Sequence, residues 1–174
     1  MENDNNSFKD DKSNLSSLKP TLNQNHLISL FNKKFSSMAS IGMHSLQEDI
    51  QLNIEPKYIN SICKVLKNSP DLSFNYLECI TLVDYEKNLE VVYHLTSFKL
   101  KESIIIKSLI SIDSPIIDSV VNIWRAADWF EREAHDLFGV NFSGHPNLKP
   151  LLLFEGFEGY PGRKSFPIND YQEW

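Results

Sequence analysis

The stretch Tyr76–Ile112, YLECITLVDYEKNLEVVYHLTSFKLKESIIIKSLISI, decides the fold. Apolar runs rich in β-branched and aromatic residues alternate with short polar breaks, the pattern of consecutive strands. The first run, Tyr76 to Tyr85, ends at the polar turn Glu86-Lys87-Asn88. The second, Leu89 to Phe98, is almost wholly apolar in its middle. The third, Ile104 to Ile112, has the Ile and Leu content of an inner strand. Connections this short favour antiparallel neighbours, because a parallel return needs a crossover of about a dozen residues.

Toward the N-terminus, Ile50, Leu52 and Ile54 alternate with Gln51 and Asn53, which marks a half-buried fourth strand. Pro56 then opens a helix with Ile59, Ile62, Cys63 and Leu66 on one face, and it stops before Ser69-Pro70. Further upstream Leu27, Leu30, Phe31 and Phe35 recur at helical spacing. Asn25 is the expected cap of that helix, and Gly42 is expected in the loop after it. Residues 1–24 are rich in Asn, Asp, Lys and Ser and have too little to bury, so a disordered tail is expected there. The expected domain covers residues 25–144 and is α+β. It has two layers, a mostly antiparallel four-stranded sheet with helices on one face.

Toward the C-terminus, Ser114-Pro115 ends the third run, and a helix follows within WRAADWFEREAHDLFG (Trp124–Gly139). At about 100° per residue, Trp124, Ala126, Ala127, Phe130, Ala134, Leu137 and Phe138 form one apolar arc. Arg125, Asp128, Glu131, Arg132, Glu133, His135 and Asp136 form the other. Asp128–Arg132 and Arg132–Asp136 are spaced for a ladder of ion pairs, and Gly139 falls where a left-handed residue ends a helix. Trp129 projects into the charged arc, placed to lie over Arg125 or Arg132 or to fill a pocket on a partner. Beyond it, residues 145–174 are expected to form an irregular extension. Five of the six glycines and four of the eight prolines lie between Trp124 and Pro167, so the chain there follows a defined irregular path. Phe154, Phe157 and Tyr160 interleave with Gly156, Gly159 and Gly162. These aromatics read as anchors, with Arg163-Lys164 as a charged contact, and the segment is expected to be ordered more by a partner than by its own domain.

Composition narrows the function. The net charge of −6 argues against a nucleic-acid binder, and no run of eighteen apolar residues is present. The opening residues are polar and acidic, unlike a signal peptide. Cys63 and Cys79 are the only cysteines, too few for an iron–sulfur cluster, which normally takes four thiolates. His135 and His145, with Glu131, Asp136 and Glu158, are the candidates for an acid–base or metal-dependent hydrolase. A two-histidine zinc helix would need a second histidine on the face shared by Glu131 and His135, and none is there. His145 precedes a proline in a loop, where one structural hydrogen bond is the simpler role. His94, within the apolar strand, and His44, in a loop, read as structural.

Glu131-Arg132-Glu133, Asp136-Leu137-Phe138-Gly139-Val140 and Gly144-His145-Pro146 resemble the signature of the thirty-kilodalton subunit family of respiratory complex I, the proton-pumping NADH:quinone oxidoreductase. Gly156-Phe157-Glu158-Gly159-Tyr160-Pro161, Arg163-Lys164 and Phe166-Pro167 continue the likeness. The chain departs from that signature at Lys149-Pro150 (an arginine pair in the family), Tyr160 (a frequent histidine), Gly162 (a frequent leucine) and Ser165 (a frequent aspartate). The resemblance implies a scaffold with no catalytic, cofactor-binding or metal-binding residue of its own. It implies a membrane-associated complex that uses NAD, FMN, iron–sulfur clusters and quinone. The partners implied are chiefly the quinone-site subunit, lettered D in this family of complexes, with those lettered B and I nearby. The implied location is peripheral, on the cytoplasmic face of a bacterial plasma membrane or the matrix side of a mitochondrial inner membrane. The candidate interface residues are Trp129, Arg132, Glu133, His145, Pro146, Phe157, Tyr160, Arg163 and Lys164. The alternative within the superfamily is the equivalent subunit of a membrane-bound nickel–iron hydrogenase or related dehydrogenase. The purified chain at neutral pH is therefore expected to carry no stoichiometric iron, zinc or flavin; elemental analysis and a flavin spectrum check this, and one equivalent of any of them contradicts the scaffold reading.

Overall fold

The computed structural model describes residues 22–43 and 50–167; the expectations placed on residues 1–21, on His44 and on residues 168–174 lie outside the described residues. In chain order the elements are α1 (Leu22–Phe35), β1 (Ala39–Met43), β2 (Ile50–Ile54), a 3-10 turn (Pro56–Tyr58) running into α2 (Ile59–Asn68), β3 (Tyr76–Asp84), β4 (Asn88–Ser97), β5 (Glu102–Ser111), β6 (Ile116–Asp118), α3 (Ala127–Phe138) and β7 (Asn141–Ser143).

The main sheet has the order β1-β2-β5-β4-β3. Register follows from alternation. On β4, Leu89, Val91, Tyr93 and Leu95 are buried on one face, opposite Ile110, Ser108, Ile106 and Ile104 of β5. A slip of one residue would turn this whole set to the other side. That other side carries the Glu90–Lys107 ion pair at 3.5 Å. Leu27, Phe31 and Phe35 of α1, the apolar face of α2, and Ala127 and Ala134 of α3 all join the strands' inward residues in one core, so the helices share one face of the sheet. The fold is α+β in two layers, as the sequence implies.

Four details differ. The sheet has five strands rather than four, because Ala39–Met43 pairs antiparallel with β2, and Gly42 lies in that strand opposite Gln51 rather than in a loop. β2 and β5 run parallel, since α2, β3 and β4 intervene and return the chain in the same sense. Helix α1 begins at Leu22, so Asn25 lies inside it and residues 22–24 belong to the domain rather than to a tail; Gln24 is buried. A second, two-stranded sheet pairs β6 in parallel with β7, flanking α3 on both sides in sequence.

The phase of α3 also differs from the simple two-arc picture. Ala126 is exposed at the helix start, whereas Glu131, placed on the charged arc by spacing, is 0 % exposed. Its Oε2 accepts from Ser119 Oγ at 2.5 Å and its Oε1 from the Val120 N–H at 2.7 Å. These bonds fix the turn that carries Trp124, whose Nε1 donates to the Phe74 carbonyl at 3.2 Å. A buried carboxyl with two donors is satisfied in place of water. Burial pushes its pKa up to about 7, against the two hydrogen bonds that lower it and with the nearby Asp128 adding to the rise.

The folded chain holds this proton up to about pH 7, whereas an unfolded glutamate releases it near 4.5. The folded state thus binds the extra proton between those values, and stability falls as pH rises through that window, by at most about 1.4 kcal/mol per pH unit. Glu131→Gln keeps the shape and both bonding partners. Urea unfolding from pH 4.5 to 7 is expected to lose this downward slope in the variant; an unchanged slope contradicts the assignment.

Candidate docking surface

The rest of α3's polar face is largely turned to its own chain. Asp136 Oδ2 accepts the N–H groups of Leu151, Leu152 and Leu153 at 3.1, 2.7 and 2.8 Å. Arg132 Nε donates to the Lys149 carbonyl at 3.1 Å and its Nη2 to that of Pro150 at 3.0 Å. The expected Asp128–Arg132–Asp136 ladder does not form, because Arg132 and Asp136 are engaged by the backbone of residues 149–153 instead. Residues 145–167 contain no helix or strand and lie as a strap along the helix and its C-terminal end.

The end of α3 closes the arrangement. Gly139 takes the left-handed conformation at φ 72°, as its position after Phe138 implies, and its N–H donates to His135 O. A Cβ there would meet the Tyr160 ring at 2.4 Å, so the ring lies directly against glycine backbone. The Gly162 N–H donates to Leu137 O at 2.9 Å and Arg163 Nε to Phe138 O at 2.8 Å, which satisfies helix carbonyls that lack intrahelical partners. Lys164 N–H donates to Asp84 Oδ2 at 2.8 Å, linking the strap to the end of β3. A partner is expected to order this segment more than its own domain does, yet the domain itself supplies specific anchors along it. Burial pushes the carboxyls of Asp136 and Asp84 up, but the backbone N–H bonds outweigh it and hold both below the usual carboxylate range.

Of the interface candidates, Trp129 is 65 % exposed. Glu133, Pro146 and Lys164 are also exposed. Arg132 and Arg163 are half-buried and hold backbone; Arg163 also lies over the Tyr160 ring, 4.6 Å from its centroid. Tyr160 itself is 40 % exposed. Phe157 sits between Phe154, at 5.4 Å edge to face, and Phe166, stacked at 6.0 Å. The His145 ring is buried within the chain: Nδ1 accepts from the Asn147 N–H at 3.1 Å, so the neutral ring carries its hydrogen on Nε2. That nitrogen lies 3.2 Å from Asp128 Oδ1 but off hydrogen-bond alignment. Leu152 at 61 % and Phe154 at 71 % exposure join Trp129 as large exposed apolar side chains, and sequence reasoning did not single out Leu152. The signal was there in Leu151-Leu152-Leu153-Phe154, an apolar run directly after Pro150 in a segment with no helix or strand period.

Two of the departures from the family signature can be placed locally, and nothing in the structure explains Ser165. Lys149 and Pro150 are held through their carbonyls, so this contact is indifferent to their side chains. At Gly162 a Cβ would meet the Phe138 ring at 2.8 Å and the Leu137 carbonyl at 3.0 Å, so glycine suits this close approach. The residues considered for a hydrolase are committed separately: Glu131 to Ser119 and Val120, Asp136 to the strap, and His135 to the Val140 carbonyl at 2.9 Å. Among the described residues no three His, Cys, Asp or Glu side chains converge as metal ligands. Cys63 is buried in α2 and its thiol is pushed far up by burial, while Cys79 lies on β3; together they do not fit an iron–sulfur cluster's donor set.

The family model described as the respiratory-chain NADH dehydrogenase 30 kDa subunit matches residues 52–172. The chain is 36 % identical over 160 residues to the NADH-quinone oxidoreductase C 2 subunit of Rhizobium etli, covering 90 % of this chain and 82 % of that one. It is 38 % identical over 128 residues to NADH-ubiquinone oxidoreductase subunit 9 of Reclinomonas americana, covering 72 % and 62 %. Among solved structures, a chain of the membrane-bound sulfane sulfur reductase, an archaeal respiratory membrane complex, superposes with a TM-score of 0.71 at 26 % identity, covering 83 % of this chain and 85 % of that one. The trypsin-resistant fragment of Nqo5 shares the fold with a TM-score of 0.59 at 22 % identity, covering 73 % and 100 %.

Asp136→Ala removes the acceptor for three amides at once. Hydrogen bonds to a charged group contribute about 1.5–3 kcal/mol each, so the strap should detach locally while α3 and the sheet persist. Limited chymotrypsin digestion is expected to cut near Leu151–Phe154 at least tenfold faster in the variant. The wild-type chain should show the same loosening on acidification, since a depressed carboxylate pKa stabilises above the ordinary value near 3.8 and that stabilisation is lost as pH falls below it. Equal cutting of variant and wild type at neutral pH contradicts the anchoring role.

Proposed function

The chain belongs to the family of the 30 kDa subunit of respiratory-chain NADH dehydrogenase, and on that premise we propose that it is a scaffold subunit of the hydrophilic arm of a membrane-associated NADH–quinone oxidoreductase. It has no redox centre of its own in this reading. The complex around it uses NAD, FMN, iron–sulfur clusters and quinone, and passes electrons from NADH to quinone coupled to proton translocation. Its main neighbour is the quinone-site subunit, lettered D, with those lettered B and I nearby. No helix among the described residues is long and apolar enough to cross a membrane, which accords with a peripheral place. That place is the cytoplasmic face of a bacterial membrane or the matrix side of a mitochondrial one.

The observation that carries this reading is the display of Trp129, Leu152 and Phe154 on a helix and a strap whose backbone is already held. Large aromatic and aliphatic groups left in water on a fixed frame are interface anchors: their ordering entropy is settled before the partner arrives. A frame of this kind contributes to rate by fixing the relative positions of its neighbours, because electron transfer and quinone docking depend steeply on geometry. A second reading has its own support. The likeness to the sulfane sulfur reductase chain favours the same scaffold role in a related membrane complex, such as a hydrogenase, with another electron donor. Tagged chain purified from solubilised membranes separates the two. NADH-binding subunits in the co-purified set are expected, and hydrogenase subunits in their place would select the second reading; recovery of the chain alone would contradict both.

Trp129→Ala should damage assembly and spare the fold, since the ring is exposed and outside the core. Truncating an interface anchor costs about 2 kcal/mol or more, near a thirtyfold loss in affinity. Retention of the variant in the complex through a salt wash is expected to fall by that order with the chain's own unfolding midpoint unchanged. A lowered midpoint with unchanged retention contradicts the docking role.

A further inference from the structure

A small cavity lies between the C-terminal half of α3 and the strap, walled among others by His135, Asp136, Phe154, Phe157 and Tyr160. Its volume is about 120 Å³. Cofactor and drug-sized sites run to about 300–1,000 Å³. At about 30 Å³ per water, this one has room for about four waters. A single side-chain head group fits that space.

Its chemistry selects the charge of the occupant. All three strap amides bond to Asp136 Oδ2, which leaves Oδ1 without a hydrogen-bond partner among the described residues. His135 Nδ1 faces the Val140 carbonyl, an oxygen that only accepts, so this nitrogen donates and the ring is held in place beside the cavity. Phe154 and Phe157 meet edge to face, and Phe154 remains open to solvent. Glu155 and Glu158 are exposed on the same stretch, and no Lys or Arg occurs from Pro150 to Gly162. Arg163, stacked on Tyr160, is committed to the Phe138 carbonyl. An unpaired carboxylate oxygen, two aromatic rings and a stretch without basic residues together suit a cation, which gains from both the ring faces and a charge-assisted bond.

We propose that this cavity is the socket for one arginine or lysine side chain of a neighbouring subunit, its charged head bonded to Asp136 Oδ1 and lying against the Phe154 and Phe157 rings. The proposal rests on the docking reading above and deepens it: the apolar display supplies contact area, and the socket fixes register between the two surfaces. A basic residue seated beside the carboxylate also braces the strap, because the same Asp136 holds both.

Photocrosslinking in the assembled complex tests it. Phe154→benzoylphenylalanine is a conservative change at an exposed ring, and irradiation followed by mass spectrometry identifies the attached peptide. The expected result is a peptide of another subunit with Arg or Lys at or beside the attachment point. Replacing that basic residue by Met should then lower retention of this chain in a salt-wash series about tenfold or more. Attachment to a partner peptide without a basic residue, or unchanged retention after its replacement by Met, overturns the socket and leaves the docking surface standing. Attachment confined to this chain, or no attachment, overturns both.

Discussion

Asp136 gathers three consecutive backbone N–H groups onto one oxygen, and the C-terminal part of the molecule is built around that contact. A carboxylate accepting three amides forces Leu151, Leu152 and Leu153 into a tight arc, so their side chains splay in different directions and Leu152 is turned to solvent. One helical turn earlier, Arg132 takes the carbonyls of Lys149 and Pro150, so an acid and a base on one helix face read the donors and acceptors of one loop. The irregular backbone thereby receives the partners that a strand would obtain from a sheet. Gly139, with the Tyr160 ring against its backbone, and the bond from Lys164 to Asp84 then fix the far end.

Charge on α3 therefore acts inward in two senses. Glu131 enters the core to hold the turn at Ser119 and Val120, while Arg132 and Asp136 hold the strap. What remains outward on this helix is Trp129, Glu133 and much of the Asp128 side chain. A large indole ring left open among acidic side chains is unusual for an exposed helix, and the covering of such a ring is what a subunit interface provides.

Strands β2 to β5 and α2 are legible, unlike the short pair β6 and β7, because their cues are local: alternation in Leu89–Leu95, the helical spacing of Ile59, Ile62, Cys63 and Leu66, and the glycine after Phe138. Strand β1 is not. Ala39–Met43 contains Gly42, has little alternation, and is defined by its partner β2. The parallel pairing of β2 with β5 joins segments about fifty residues apart, which no window of sequence displays. Spacing puts Glu131 and Asp136 on the charged arc but not inside the chain, because periodicity registers their charge and not their donors, which come from Ser119 and Val120 upstream and Leu151–Leu153 downstream. The exposure of Trp129 follows from its place on the charged arc; that of Leu152 depends on a backbone path visible only in three dimensions.

An anchored docking surface requires a strap that is held before any partner binds. Amide hydrogen exchange on the free full chain measures this directly at the N–H groups of Leu151, Leu152, Leu153, Gly162 and Lys164. Protection of these amides well above that of an unstructured peptide, already present in the free chain and little increased in the assembled complex, is the predicted result. Exchange at unstructured rates in the free chain, with protection arising only on assembly, would contradict it, because the partner rather than Asp136 would then be the source of the order.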